Sequence, residues 1–193
     1  EVWGLSGSSP AQDRHRGFME VLNSRIKVKE IFGKWKPETV EKEIAEMDSL
    51  EEVDVVFAHN DVMAMAARRA IERMHPGLAD RICFVGIDAV SGRGSGLEAV
   101  MHGELAASVL YPTGGSLAIR VAMQILNGED VSRQYLLSSA LIDKNNAGTL
   151  FIQSEQVVDY QHQIELQREN LESMLSKYTF LQNSVGIILL LMG

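Results

Sequence analysis

The sequence predicts an α/β fold in which a parallel sheet is flanked by helices and followed by one long helix. Short apolar runs of strand length alternate with longer stretches of helical period, as in βαβ units. Polar residues follow the ends of most of these runs. From about Ser154 onward, apolar residues recur every seven positions, which is typical of a helix that pairs with another helix.

The composition indicates one main domain with an appendage. The chain has 193 residues, 46% of them apolar, which is enough for one good-sized core. Its formal charge of −8 repels phosphates and no Lys/Arg cluster offsets it, so we expect small neutral ligands and no direct nucleic-acid binding. The one cysteine, Cys83, lies in an apolar run and is predicted to be buried. It forms no disulfide framework, so cysteine usage does not separate cytoplasm from periplasm.

The predicted elements alternate along the chain. Strands are expected at residues 2–5, 26–32, 53–58, 82–87, 106–111 and 134–142. Helices are expected at residues 11–24, 38–47, 62–74, 97–102 and 115–126. The first helix places Phe18, Val21 and Leu22 on one face, and the last of these helices ends at Asn127 and Gly128, a common C-terminal stop.

The heptad pattern covers residues 154–184. One set of positions consists of Val157, Ile164, Leu171, Tyr178 and Val185, each seven residues after the last. The second set follows three residues later and consists of Tyr160, Gln167, Met174 and Leu181. This pattern favours a two-stranded coiled coil, and hence a homodimer. An amphipathic helix that lies against its own domain is the alternative.

Both ends of the chain suggest that it is cut from something longer. The N-terminus has neither a basic leader nor an apolar signal core. Residues 185–193 are apolar and then stop, at less than half of the roughly 20 residues that a spanning helix needs. We expect them to begin a transmembrane helix, and a buried terminal helix is the alternative.

Polar and aromatic residues at the strand ends are the candidate binding site. Ligands of open parallel sheets bind at the carboxyl ends of the strands, so these side chains should converge. The candidates are Arg14, Trp35, Asn60, Asp61, Asp88 and Tyr111. A carboxylate accepts hydroxyl hydrogens, Asn donates and accepts, Arg donates in a fixed fork, and a Trp face covers the C–H face of a sugar ring. Together they suit a polyhydroxylated ligand.

Each candidate also has a purely structural interpretation. Asn60 and Asp61 are residue types that cap helices, and one follows the other directly before a predicted helix. Arg14 is alternatively an exposed helix residue, Asp88 a turn former and Trp35 a core aromatic.

Catalytic and metal chemistry have little support in the sequence. Ser6, Ser8 and Ser9 lack the G-x-S-x-G elbow, and no His–acid pair has a recognisable spacing. Five scattered histidines and one cysteine give no metal-ligand cluster. We therefore expect this segment to be non-catalytic, without a metal or cofactor.

Four segments, taken in order, resemble a known family. They are residues 4–18, 55–64, 84–88 and 97–112. Their sequences and order are similar to those of the type I periplasmic binding proteins for sugars, represented by the ribose- and galactose-binding proteins. The resemblance covers about residues 1–147.

The resemblance implies a set of ligand contacts. The family's binding arginine falls on Arg14, its ligand asparagine on Asn60 and its ligand aspartate on Asp88. An aromatic residue of the second strand–helix loop falls on Trp35. Where the family often has Gln, next to a hinge crossing, this chain has Tyr111.

These proteins are two-lobed, and the resemblance implies that residues 1–147 are the second lobe plus part of the first. The segment after Tyr111 crosses back to complete the first lobe in the family. We therefore expect the helix at 115–126 to lack most of its packing partner here.

The continuation into a heptad helix and an apolar run resembles hybrid two-component sensors. The resemblance implies a periplasmic, sugar-binding sensor segment of an inner-membrane histidine kinase. A free periplasmic sugar-binding protein for transport is one alternative. The ligand domain of a lactose-repressor-like transcription regulator is another.

Overall fold

The computed structural model describes residues 1–192, with side chains through residue 181. Contacts divide the chain into two compact units, Glu1–Phe151 and a second from Ile152 onward. The first unit is α/β, with parallel-dominated sheets flanked by helices, which confirms the predicted fold class.

The strands of the first unit form two sheets. β1 (Val2–Trp3) pairs in parallel with β2 (Ile31–Phe32). The larger sheet has the order β3 (Val55–Phe57), β4 (Cys83–Asp88), β5 (Ala107–Leu110) and β6 (Ala140–Asp143). Its first three strands are parallel, whereas β6 runs antiparallel to β5. A parallel bridge between Val2 and Ala58 joins the sheets, so β1, β3 and β4 end at one common edge.

Helices connect these strands as the sequence predicted. They are α1 (Ser9–Val21), α2 (Pro37–Ala45), α3 (Asp61–Met74), α4 (Gly96–Met101) and α5 (Gly115–Leu126). The core lies mainly between α2, α3 and the larger sheet. Phe84, Met63 and Ile71 are among its largest buried side chains.

Two predicted strands are much shorter in the structure. The strand expected at 26–32 is reduced to Ile31–Phe32, because the preceding charged stretch, which includes Lys27 and Lys29, has no strand to pair with. The strand expected at 134–142 is reduced to Ala140–Asp143, because pairing with β5 begins only at Ala140.

The prediction that Cys83 is buried is wrong. Cys83 is exposed, whereas Phe84 beside it is only 1% exposed. Successive side chains of a strand point to opposite faces, and α3 covers only one face of β4. Phe84 lies on the covered face and Cys83 on the other. The apolar run therefore alternates in burial. Val21 of α1 is likewise 81% exposed, and Ala11 is the residue that this helix buries.

The helix α5 has an uncovered apolar face, as expected. None of its residues is buried, and Ile119, Ile125 and Leu126 are each more than half exposed. The chain after it contributes Tyr135 and Leu137, which line a shallow groove beside the helix.

The long helix α6 (Ala147–Met192) begins in the first unit, where Ala147 is fully buried. In the second unit, the heptad residues Val157, Ile164, Leu171 and Tyr178 are all more than half exposed. Among the described residues, no helix is both long enough and apolar enough to cross a membrane. The predicted membrane segment, 185–193, lies outside the residues whose side chains are described.

Candidate functional site

Arg14 lies at the centre of the polar cluster at the carboxyl ends of the strands. From α1, its Nη1 donates a hydrogen bond to the His59 carbonyl at 2.5 Å. Its Nη2 donates to Oδ1 of Asp88 at 3.2 Å. The Arg14 side chain is 13% exposed and that of Asp88 is 30% exposed, so the ion pair is partly screened from water but still reachable. The alternative of an exposed helix arginine is therefore wrong.

Two aromatic rings flank the Arg14 guanidinium. Its central carbon lies 5.3 Å from the Trp35 ring centroid and 5.1 Å from the Tyr111 ring centroid. Both distances are within the range of cation–π attraction. Trp35 adopts a left-handed φ of 65°, and its ring lies over Gly4 so closely that a Cβ there would clash with it. Trp35 is half-buried and Tyr111 is exposed, so both present surface to an incoming molecule.

Asn60 starts α3 and caps it. Its Oδ1 accepts a hydrogen bond from the Met63 amide at 2.9 Å, which satisfies one of the free N–H groups of the first turn. The capping interpretation of Asn60 is thus confirmed. Because the cap uses only the oxygen, the carboxamide nitrogen is the part of the side chain that remains able to donate.

Asp88 ends β4 in a turn whose backbone conformation is rare for residues other than glycine. Its φ is 115° and that of Ala89 is 46°. Burial raises the pKa of the Asp88 carboxyl above its ordinary value, and the charge and hydrogen bond of Arg14 partly offset this rise. The structure therefore supports a turn role and a site role for the same residue.

Asp61 is almost fully buried beneath this turn, at 2% exposure. Its Oδ2 accepts from the Ala89 amide at 2.7 Å, and its Oδ1 accepts from the Ser108 hydroxyl at 2.6 Å. Burial raises the pKa of Asp61 to about 6, and these two hydrogen bonds counter part of the rise. No local signal in the sequence distinguishes Asp61 from an ordinary acidic residue in the first turn of a helix.

The carbonyl group that binds Arg14 belongs to a buried histidine, His59, whose ring makes its own hydrogen bonds. Nδ1 of His59 accepts from the Gly4 amide at 3.1 Å, so the ring proton lies on Nε2, which donates to Glu1 at 2.8 Å. His15 also contacts Glu1 at 2.8 Å. Burial raises the pKa of Glu1, but the hydrogen bonds from His59 and His15 outweigh it and leave the pKa below its usual value.

One group of potential metal ligands appears among the described side chains. Ligand atoms of Glu1, His15 and Glu30 lie within 4.8 Å of one another. These residues are distant in sequence, which is why spacing alone did not indicate them. The Glu1 carboxylate already bonds both His15 and His59, so the group is explained as a hydrogen-bonded network.

The structure brings five of the six predicted site residues to one edge of the sheets, and the sixth, Asp61, lies buried beneath the turn after β4. Arg14 contacts Asp88, Trp35 and Tyr111 directly. Asn60 follows His59, whose carbonyl binds Arg14. The cluster combines a guanidinium donor, a carboxylate acceptor and two aromatic rings, and such a combination can bind a small polar molecule.

Comparison with known proteins identifies the family. Residues 2–130 match the family model described as a periplasmic binding protein domain. This match covers more than half of the chain, so the chain belongs to that family and has the type I periplasmic binding protein fold.

Curated relatives include ribose import binding proteins. That of Salmonella typhimurium strain LT2 is 32% identical over 151 residues, which cover 75% of this chain and 48% of the relative. That of Escherichia coli strain K12 is 30% identical over 151 residues, which again cover 75% of this chain and 48% of the relative. The chain thus spans about half the length of the curated relatives it matches.

Solved structures give the same picture. The fructose-binding periplasmic domain of a hybrid two-component system superposes with a TM-score of 0.78 at 34% identity, over 85% of this chain and 55% of that one. A Mycobacterium smegmatis protein in complex with β-D-fucofuranose superposes with a TM-score of 0.70 at 27% identity, over 82% and 53%.

Proposed function

We propose that this chain is the second lobe of a two-lobed sugar-binding domain, with part of the first lobe, over residues 1–147. The observation that carries the proposal is the Arg14–Asp88 pair between Trp35 and Tyr111, at the carboxyl ends of the strands. Relatives named for binding ribose, fructose and β-D-fucofuranose support a monosaccharide or a short oligosaccharide as the ligand.

Each residue has a distinct part in this proposal. Arg14 donates to ring and hydroxyl oxygens, and Asp88 accepts hydroxyl hydrogens with the oxygen that Arg14 does not hold. Asn60 donates through its amide nitrogen while its oxygen caps α3. Trp35 covers the apolar C–H face of the sugar, and the Tyr111 hydroxyl supplies a further hydrogen bond. All of these roles are binding roles, so this segment performs no catalysis.

The other half of the site belongs, in this proposal, to the first lobe. The chain spans about half the length of its relatives, and the apolar face of α5 has no cover in the first unit. Closure of the two lobes around a sugar would then be a shift of population between open and closed states.

We further propose that the domain is the periplasmic sensor segment of a membrane-bound histidine kinase. The fructose-binding domain of a hybrid two-component system supports this role. Residues 154–184 would form a dimeric coiled coil, and 185–193 would start a transmembrane helix. A free transport-binding protein is the second candidate, because ribose import proteins are also relatives.

Sugar binding is tested by calorimetry with fructose and ribose on the protein carrying both lobes. Arg14→Ala and Asp88→Ala should each weaken binding by about 2–4 kcal/mol, because each leaves a partly buried polar partner and the bound sugar hydroxyls without a hydrogen bond. Arg68→Ala is the matched control. Arg68 also bonds a backbone carbonyl and an aspartate, Asp80, and lies over Phe84, but at the opposite end of the sheet. Wild-type affinity in both site variants, with folding intact, would remove these residues from the site.

The sensor role is tested through the coiled coil. Changing both Leu171 and Met174 to Asp should abolish dimerisation in sedimentation, because both side chains would lie inside the seam. Changing Ser173 and Ser176 to Asp adds the same charges outside the seam and should leave the dimer intact. A wild-type chain that is monomeric at all concentrations would favour the transport-binding protein.

A further inference from the structure

We propose that Asp61 is a positioning residue of the sugar site: its carboxylate holds the Asp88–Ala89 turn and thereby aims Asp88 at Arg14. The inference rests on the proposed function and deepens it. Asp61 itself lies below the surface of the site and is not assigned a contact with the ligand.

The turn is held by two acceptors. The Ala89 amide donates to Oδ2 of Asp61 at 2.7 Å and also to the Ser108 hydroxyl at 3.1 Å. Ser108 in turn donates to Oδ1 of Asp61 at 2.6 Å. All three groups are buried, so water does not replace these bonds when one is lost. The carboxylate therefore links β5 to the residue that directly follows Asp88.

Such a link is required because the turn is strained. Asp88 and Ala89 have φ values of 115° and 46°, in the left-handed region that favours glycine. Non-glycine residues persist there only when their surroundings fix them. The Asp61 carboxylate is the charged member of those surroundings, and charged acceptors form stronger hydrogen bonds than neutral ones.

The space around Asp61 fits an aspartate and little else. A Cβ added at Gly86 on β4, or at Gly96 at the start of α4, would clash with the carboxylate oxygens. These two glycines let the backbone approach the carboxylate closely. A longer or branched side chain at position 61 would meet the same walls, so Asp61→Glu should not replace the wild-type residue.

Two charged groups of the site act on Asp61. Asp88 on β4 disfavours the ionised carboxylate, and Arg14 on α1 favours it. Burial is the largest influence and brings the pKa of Asp61 to about 6. Protonation would remove the charged acceptor from the Ala89 amide. The hold on the turn should therefore weaken on acidification, although a protonated buried carboxyl is easier to keep in a folded protein.

This combination separates positioning from a merely structural role. A residue that only stabilised the fold would lose stability and affinity together. As the pH falls from 7.5 to about 5 and Asp61 becomes protonated, we expect the affinity of the protein for sugar to fall. Over the same range, the contribution of Asp61 to the stability of the folded state should increase.

The test uses the protein carrying both lobes, as the wild type and as Asp61→Asn. In the wild type, the amide resonance of Ala89 should shift with pH around an apparent pKa of about 6. In Asp61→Asn this titration should be absent, and fructose or ribose affinity at pH 7.5 should fall about tenfold or more. Asp80→Asn, at an exposed carboxylate that pairs with Arg68, is the matched control and should change neither result.

The outcomes keep the two proposals apart. A wild-type protein that binds no sugar overturns the proposed function, and the Ala89 titration still tests whether Asp61 holds the turn. If Asp61→Asn does not fold, Ser108→Ala removes one of the bonds to the carboxylate and should weaken binding severalfold. An Ala89 amide that does not titrate in the wild type, or sugar affinity in folded Asp61→Asn within threefold of the wild type (about 0.7 kcal/mol), overturns the positioning role.

Discussion

Two helices of the first unit, α3 and α5, have a similar spacing of apolar residues and differ completely in burial. Both carry an apolar face at helical spacing. In α3 eight residues are buried, including Met63 and Ile71, whereas in α5 none is. Amphipathic spacing thus shows that a helix has a face to cover, and it does not show that the same chain supplies the cover.

The difference also separates the site from its surroundings. The residues around the start of α3 form a network in which His59 holds Arg14 and Asp61 holds the turn after Asp88. This half of the site is built entirely from the first unit. The region of α5, in contrast, exposes apolar surface of the kind that marks an interaction site. The polar residues of the proposed half-site thus all come from the first unit, whereas α5 leaves apolar surface that the first lobe would cover in the proposed domain.

The largest expected effect contrasts two isoleucines. Ile71→Ala in α3 should lower the free energy of unfolding by about 2–5 kcal/mol, because the side chain is fully buried and its removal leaves a cavity. Ile125→Ala in α5 should change it by no more than about 0.5 kcal/mol, because Ile125 is 57% exposed. Urea denaturation of both variants measures the difference.

The first lobe should reduce that contrast. When it is supplied in the same protein, Ile125→Ala should become destabilising by about 2 kcal/mol, as for a buried side chain. An Ile125 substitution that stays neutral there would show that α5 does not pack on the first lobe.

Asp61 provides a pH-dependent effect of intermediate size. Because burial raises its pKa from 3.8 to about 6, the folded state binds this proton more tightly than the unfolded state. Its contribution to stability is therefore fully present below about pH 4 and is lost as the pH rises to about 6. The difference in unfolding free energy between wild type and Asp61→Asn should change by up to about 3 kcal/mol across this window. A difference independent of pH would mean that Asp61 is not kept ionised at a cost in stability.

The smallest effect separates the two roles of Asn60. Asn60→Asp keeps the oxygen that caps α3, so stability should stay within about 0.5 kcal/mol, while the lost amide donor weakens sugar binding. Asn60→Ala removes the cap as well and should lower stability by about 1 kcal/mol. Thermal unfolding and calorimetry on both variants distinguish them, and equal affinity in Asn60→Asp and wild type would leave Asn60 with the cap alone.

Much of this architecture could be predicted from local pattern. The alternation of strands and helices follows from periodicity. The meeting of Arg14, on the helix after β1, with Asp88, at the end of β4, follows from the geometry of parallel sheets. Strand length was harder to predict, because a strand extends only as far as its partner. The β2 and β6 strands are short for this reason. Burial of Cys83 was mispredicted because an apolar run does not reveal which face a helix covers.

The interior of the site could not be predicted in the same way. Asp61 acts through Ser108 and the Ala89 amide, which lie 47 and 28 residues away along the chain. The Glu1–His59 bond likewise joins residues 58 positions apart. Such contacts depend on the register between distant strands, which local sequence does not encode.

If this chain holds half of a sugar site, its affinity for sugar should depend on the other lobe. Calorimetry with fructose and ribose would measure the affinity of the 193-residue chain and of the protein with both lobes. We expect binding to the single chain to be at least about 100-fold weaker, because half of the contacts and the closure around the ligand are missing. A soluble, monomeric 193-residue chain that binds sugar with micromolar affinity would show that the site is not divided between two lobes.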